Sequence, residues 1–203
     1  MKTKINKIEG DWKDVKNKCR TTVNKGHTEN ESSSKFKTDL LISEHSPARL
    51  IKVNWMWDEI KSWCATHWCR HKWECFISTR RSDRTGIDRG DLSQNELVTF
   101  EGEGNAQNLI DTWRKRLCYQ ASLETREYAE DFKITLRDYE SELADTLQKN
   151  CIYRCGCPEF EECGYWTAFM KKHSDIDLLN IRKRYDAENI DFYKLHSKEK
   201  INL

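Results

Sequence analysis

The sequence predicts an α+β domain, and three observations carry that expectation. Residues 51–57 alternate Ile51, Val53, Trp55 and Trp57 with Lys52, Asn54 and Met56, the period-two pattern of a half-buried strand. A weaker alternation runs through residues 2–9. The second half of the chain repeats its apolar residues at three- and four-residue spacing, the period of helices packed on one face.

Taken in order, KTKINKIE at residues 2–9 is a first strand, and Asp11 is a suitable N-cap for a helix over residues 12–24. The polar, Ser-rich GHTENESSSKFK that follows is an exposed loop. Leu40, Leu41 and Ile42 with Ser46-Pro47 lead into the second strand, where His45 is a turn or surface residue. Residues 61–69 form a short helix, and residues 73–82 a strand or loop. A long helical region is expected over residues 97–133, broken near Ser122, with Asn105, Leu109, Thr112 and Arg116 sharing a face. Residues 129–149 read as a further amphipathic helix with Phe132, Leu136, Tyr139, Leu143 and Leu147 inward. Residues 1–170 make one domain, and 171–203 a charged tail with a surface helix over residues 174–195.

Composition narrows the function classes. Of 203 residues, 37% are hydrophobic and 34% charged, a lean core that eight Trp, seven Tyr and seven Phe offset by burying large rings. A net charge of +1 lacks the basic excess of a general nucleic-acid binder, so no nucleic-acid partner is expected. No apolar run reaches the length of a membrane helix and the N-terminus lacks a signal-peptide pattern, so no membrane association and a cytoplasmic location are expected. In a reducing compartment the nine cysteines are thiols or metal ligands. Cys151, Cys155, Cys157 and Cys163 could close a tetrahedral zinc site. Their C-x3-C-x-C-x5-C spacing is not that of two C-x-x-C pairs, and buried free thiols in a tight turn are the alternative.

The densest chemistry lies in residues 63–84, WCATHWCRHKWECFISTRRSDR. Arg70, His71, Lys72, Arg80, Arg81 and Arg84 fall within fifteen residues, beside Ser78, Thr79 and Ser82. Guanidinium forks and hydroxyls at that density suit phosphate oxygens. A solvated basic face is the competing reading.

Arg70-His71-Lys72 followed by Ser82-Asp83-Arg84 resembles the R-H-R-x-x-S-x-N-E-x-S-x-R signature of the flavin-dependent thymidylate synthases, with Trp68 two residues upstream. Arg89-Gly90-Asp91-Leu92 is similar to that family's R-x-x-L-P element. Asn105, Arg116, Glu124 and Arg126 fall at the spacing of its second block, and Ser46-Pro47 resembles its S-P-x-E-H element. The chain departs from the pattern in three ways. The span from Arg70 to Arg84 is two residues longer, Lys72 replaces Arg, and no Asn-Glu pair is present. Only four residues separate Arg84 from Arg89, where the family has a pair of helices, so the pocket rim is remodelled.

The resemblance implies an α+β fold with a mixed sheet and a helical bundle, assembled as a homotetramer. It implies FAD as cofactor, NADPH and methylenetetrahydrofolate as co-substrates, and dUMP as substrate. Carried over to matching positions, Arg70, His71, Lys72, Asn105 and His67 hold the flavin. Ser82, Arg84 and Arg89 take the nucleotide phosphate, and Arg116 binds the pyrimidine and serves the chemistry. No covalent enzyme nucleophile is required, although Cys69 and Cys75 flank the motif as alternatives. A relative acting on another pyrimidine nucleotide, for example by hydroxymethylation, and a lapsed nucleotide- or flavin-binding homologue are the competing readings.

Overall fold

In a computed structural model of the chain, the described part comprises residues 3–172. The expected helix over residues 174–195, with nearly all of the charged tail, lies outside it.

Four strands, β1 (Thr3–Glu9), β2 (Lys52–Lys61), β3 (Glu74–Ile77) and β4 (Leu97–Asn105), form one sheet in the order β1-β2-β4-β3. Every neighbouring pair is antiparallel, so the expected mixed sheet is corrected to an antiparallel one. The helices are α1 (Trp12–Thr22), α2 (Ser34–Ile42), α3 (Ser62–Trp68), α4 (Ser82–Thr85), α5 (Ala106–Arg116), α6 (Leu123–Leu136), α7 (Ser141–Thr146), α8 (Asn150–Arg154) and α9 (Tyr165–Lys172).

Local chemistry accounts for several boundaries. Asp11 caps α1 by accepting the Lys13 N–H, and Ser33 caps α2 by accepting that of Phe36, so a helix begins inside the expected Ser-rich loop. Ser122 caps α6, at the expected break. Residues 137–140 interrupt the expected helix over 129–149. Phe132, Leu136, Leu143 and Leu147 are buried as anticipated, but Tyr139 lies in the interruption and is 56% exposed.

The larger correction concerns residues 97–105. They form the strand β4, not the start of a helix. Val98, Phe100, Gly102 and Gly104 are buried and alternate with partly exposed residues, which is strand periodicity. Gly102 lies opposite Trp55 of β2, and a Cβ there would meet the Trp55 ring at 2.5 Å. The glycines that depress helix propensity are the positions over which large rings lie.

One face of the sheet carries the core. Trp55, Trp57, Phe100, Trp68, Trp113 and Phe132 are all less than 2% exposed. Trp55 is central, with ring centroids 5.1 Å from Trp73 and Phe132 and 6.0 Å from Trp113 in edge-on contacts, the favoured aromatic geometry. The opposite face is polar. Asn54 joins Asn6 and Glu101 across three strands at 2.9 and 3.0 Å. This division is the ordinary solution for an antiparallel sheet with helices on one side. Among the described residues no helix is long and apolar enough to cross a membrane.

Candidate active site

The basic motif occupies the bridge between α3 and β3. Trp68 ends α3 wholly buried, and Trp73, just past the motif, stacks on it with ring centroids 5.9 Å apart. The Trp73 indole N–H donates to the Trp68 carbonyl at 3.0 Å. Two large rings thus pin both ends of the bridge to the core, while Arg70 and Lys72 between them are exposed.

Helix α5 holds the bridge from the other side. Near its start, the Asn108 side-chain amide donates to the Lys72 carbonyl. At its end, Arg116 donates from Nε to His71 Nε2 at 2.8 Å and from Nη2 to the His67 carbonyl at 3.2 Å. Arg116, His71 and His67 are therefore brought together, although Arg116 lies 45 residues from His71. Asn105 does not sit within the helix as expected. It is the N-cap of α5, and its side-chain oxygen accepts the Asn108 N–H at 3.0 Å.

Electrostatics fix the state of His71. Because Nε2 accepts from a guanidinium, the ring is neutral with its proton on Nδ1. Burial, followed by the charges of Arg116 and Lys115, holds its pKa down at about 4. Burial and the same arginine lower His67, and burial lowers Arg116 itself. Since an unfolded His titrates near 6.5, the unfolded chain takes up a proton before the folded one. The stability contributed by neutral His71 is thus complete above about pH 6.5 and is lost as pH falls toward 4. Discounted for partial exposure, the loss is of order 1–2 kcal/mol. Urea midpoints measured between pH 7 and 4 are expected to fall less steeply in His71→Gln; an identical slope would overturn this assignment.

The expected phosphate ligands lie on a separate, exposed segment. Ser82, Arg84 and Arg89 belong to α4 and the turn beyond it, and the Arg89 N–H donates to Ser82 Oγ at 2.9 Å. Among the described residues no hydrogen bond or ion pair joins this trio to His71 or Arg116. Arg81 is occupied by a two-pronged contact with Asp83 at 3.0 and 2.8 Å, and Arg84 approaches the same carboxylate at 3.8 Å. Arg70, Lys72, Arg89 and Arg116 have no carboxylate partner among the described residues, so their charge is open to an anionic ligand.

Two residues that sequence reasoning did not assign hold this frame. Asn108 clips the motif through a contact spanning 36 residues, which no local pattern signals. Arg80 donates to Ser62 Oγ at 2.9 Å and to the Ser93 carbonyl at 2.7 Å, tying both ends of the segment to the start of α3. Removing that clamp in Arg80→Ala is expected to speed trypsin cleavage at Arg81, Arg84 and Arg89 several-fold, with global stability lowered by only about 1 kcal/mol. Unchanged cleavage kinetics would count against the clamp.

The cysteine-rich segment gives no support to the zinc expectation. Cys151, Cys155 and Cys163 pack with Ile152, Tyr165 and Phe169 in a small second cluster, and burial pushes the Cys151 thiol up to about 12. Cys155 ends α8 in the left-handed conformation with φ 55°, making the tight turn. Among the described residues no group of three or more His, Cys, Asp or Glu side chains is placed to hold a metal.

The antiparallel sheet with helices on one face is a fold shared with nucleotide-modifying enzymes of known structure. One is the flavin-dependent thymidylate synthase ThyX from Helicobacter pylori, complexed with FAD and dUMP, with TM-score 0.60 and 10% identity over 73% of this chain and 100% of that one. Another is the UMP/dUMP methylase PolB from Streptomyces cacaoi, bound with 5-Br dUMP, with TM-score 0.57 and 11% identity over 71% of this chain and 93% of that one. At such identities the likeness establishes the fold alone. No family model and no curated protein matches the sequence.

Proposed function

We propose that the chain is a flavin-dependent thymidylate synthase, which transfers a one-carbon unit from methylenetetrahydrofolate to C5 of dUMP with hydride from FAD reduced by NADPH. The observation that carries this reading is the Arg116–His71 hydrogen bond. It joins the two sequence blocks that resemble that family, far apart in the chain, through the side chains that would touch flavin and pyrimidine. The shared fold, whose structures include one with FAD and dUMP, supports it.

The residues present fit a flavin. Arg70 and Lys72 are exposed cations without carboxylate partners, the donor chemistry that the phosphates of FAD require. These two, with His71, Asn105 and His67, would hold FAD, which when bound supplies the hydride that no side chain can. Ser82, Arg84 and Arg89 would take the nucleotide phosphate. Neutral His71 accepts from Arg116 and aims its guanidinium. The fixed positive charge of Arg116 stabilises the negative charge that grows on the pyrimidine as C5 becomes nucleophilic. No cysteine is needed as a nucleophile. Separation of the two groups of ligands within one chain fits a homotetramer in which neighbouring copies complete each site.

A second reading keeps the fold and the flavin but changes the pyrimidine nucleotide or the one-carbon outcome. The observation favouring it is the remodelled segment, whose residues 81–91 are all exposed and whose Arg81 is spent on Asp83. The absorption spectrum of the purified protein, followed by anaerobic NADPH with and without dUMP, tests both. A flavin band bleached by NADPH and restored only with dUMP and methylenetetrahydrofolate supports the synthase. Restoration only with another pyrimidine nucleotide supports the second reading. A colourless protein that takes up no added FAD overturns both.

A further inference from the structure

Cys69 and Cys75 bracket the basic motif at its two ends, and their sulfur atoms lie 3.0 Å apart. A disulfide needs roughly 2.05 Å, so an approach of about 1 Å closes the bond. Each cysteine is anchored by its own element. Cys69 caps α3, its N–H donating to the Ala65 carbonyl at 3.1 Å. Cys75 lies on the edge strand β3 opposite Gly102. Both are half-buried against the aromatic core. The chain between them is already compact, held by the Trp73–Trp68 bond, so the thiols meet without rearrangement.

We propose that Cys69 and Cys75 are a reversible redox pair, oxidised by exchange with a low-molecular-weight disulfide to a cystine that closes the loop bearing Arg70, His71 and Lys72. The thiolate of Cys75 attacks one sulfur of the small disulfide, releasing the first small thiol and leaving a mixed disulfide on Cys75. Cys69, as thiolate, then attacks the Cys75 sulfur and releases the second small thiol. Two protein thiols are oxidised, one small disulfide is reduced to two thiols, and the two protons pass to the leaving thiolates. Burial, with Cys75 beside it, pushes the Cys69 thiol up to about 12, which disfavours it for the first attack. Closing the loop fixes the cations at 70 and 72 on a shorter tether, and a loop held in its binding conformation loses less freedom when a ligand docks. Formation of the bond is independent of what the protein binds; its consequence for flavin rests on the function proposed above.

The test uses the full chain equilibrated in glutathione buffers of increasing oxidation, alkylated, digested with trypsin and weighed by mass spectrometry, with FAD affinity measured in parallel from flavin fluorescence. Trypsin cuts after Lys61, Arg70, Lys72 and Arg80, so the cystine joins peptide 62–70 to peptide 73–80, and fragmentation distinguishes Cys69 from Cys64. The expected result is that cross-link, reversed by reduced glutathione and abolished in Cys75→Ser, with FAD bound several-fold more tightly by the oxidised protein and no redox response in the variant. Alkylation of both cysteines throughout, or glutathione retained on Cys75 without closure, overturns the pair. A cross-link that leaves FAD affinity unchanged overturns its role in binding. A cross-link in a protein that binds no FAD in either state supports the pair and overturns the flavin reading.

Discussion

Arg116→Ala is expected to lower kcat/KM for nucleotide methylation by about 10²–10³-fold, the cost of removing one preorganised donor from a site of developing negative charge. The guanidinium is held by hydrogen bonds to His71 Nε2 and to the His67 carbonyl, so under the proposed mechanism it would meet the pyrimidine without reorganising. Lysine keeps the charge but not the planar fork that makes both bonds, and Arg116→Lys should recover little of the loss. A merely structural role would lower activity in step with stability. A pH titration separates the cases: without the neighbouring cation, the His71 pKa rises toward its ordinary value, while the urea midpoint at pH 7 stays near that of the parent. Full activity in Arg116→Ala would remove the proposed mechanism.

Gly102→Ala is expected to cost about 3 kcal/mol, at the upper end of the range for overpacking a filled core. The added Cβ would lie 2.5, 2.7 and 2.8 Å from three atoms of the Trp55 ring. That ring cannot move aside cheaply, because Trp57, Trp73, Phe100, Trp113 and Phe132 surround it. For a chain of this length the melting temperature should drop by about 6–12 °C. Gly156→Ala is the control, since nothing lies within 4 Å of its added Cβ; it should be neutral or slightly stabilising. A loss below about 1 kcal/mol in Gly102→Ala would mean that the core yields more readily than close-packed interiors do.

The two positions illustrate what can be read along a chain. The helical expectation over residues 97–133 rests on the spacing of Asn105, Leu109, Thr112 and Arg116, which continues correctly into α5. The spacing was right for the helix and wrong for its beginning. What separates the two at Asn105 is the ladder with β2, in which Asn105 pairs with Lys52. Arg116 was legible as a site residue only through a family resemblance, and its partner His71 only as another member of a motif. Nothing local states that the two touch. Asn108, equally decisive for holding the motif, carried no signal at all.

By itself the sequence determined the elements whose evidence is local. Alternation gave β1 and β2, cap chemistry gave the start of α1 and the break before α6, and the composition gave a core built on rings. It also determined which cationic side chains are crowded into residues 70–84. Only the tertiary structure decided that the sheet is antiparallel throughout, that residues 97–105 extend it, that Tyr139 faces outward and that the cysteines near residue 155 pack as thiols. It alone joined Arg116 to His71, Arg80 to Ser62 and Ser93, and Cys75 to Cys69. The physical reason is the range of the interactions. Periodicity and caps act over a turn or a strand, where neighbours in sequence are neighbours in space. Side-chain contacts between distant segments form only when the core brings their elements together, and it is such contacts that build the site.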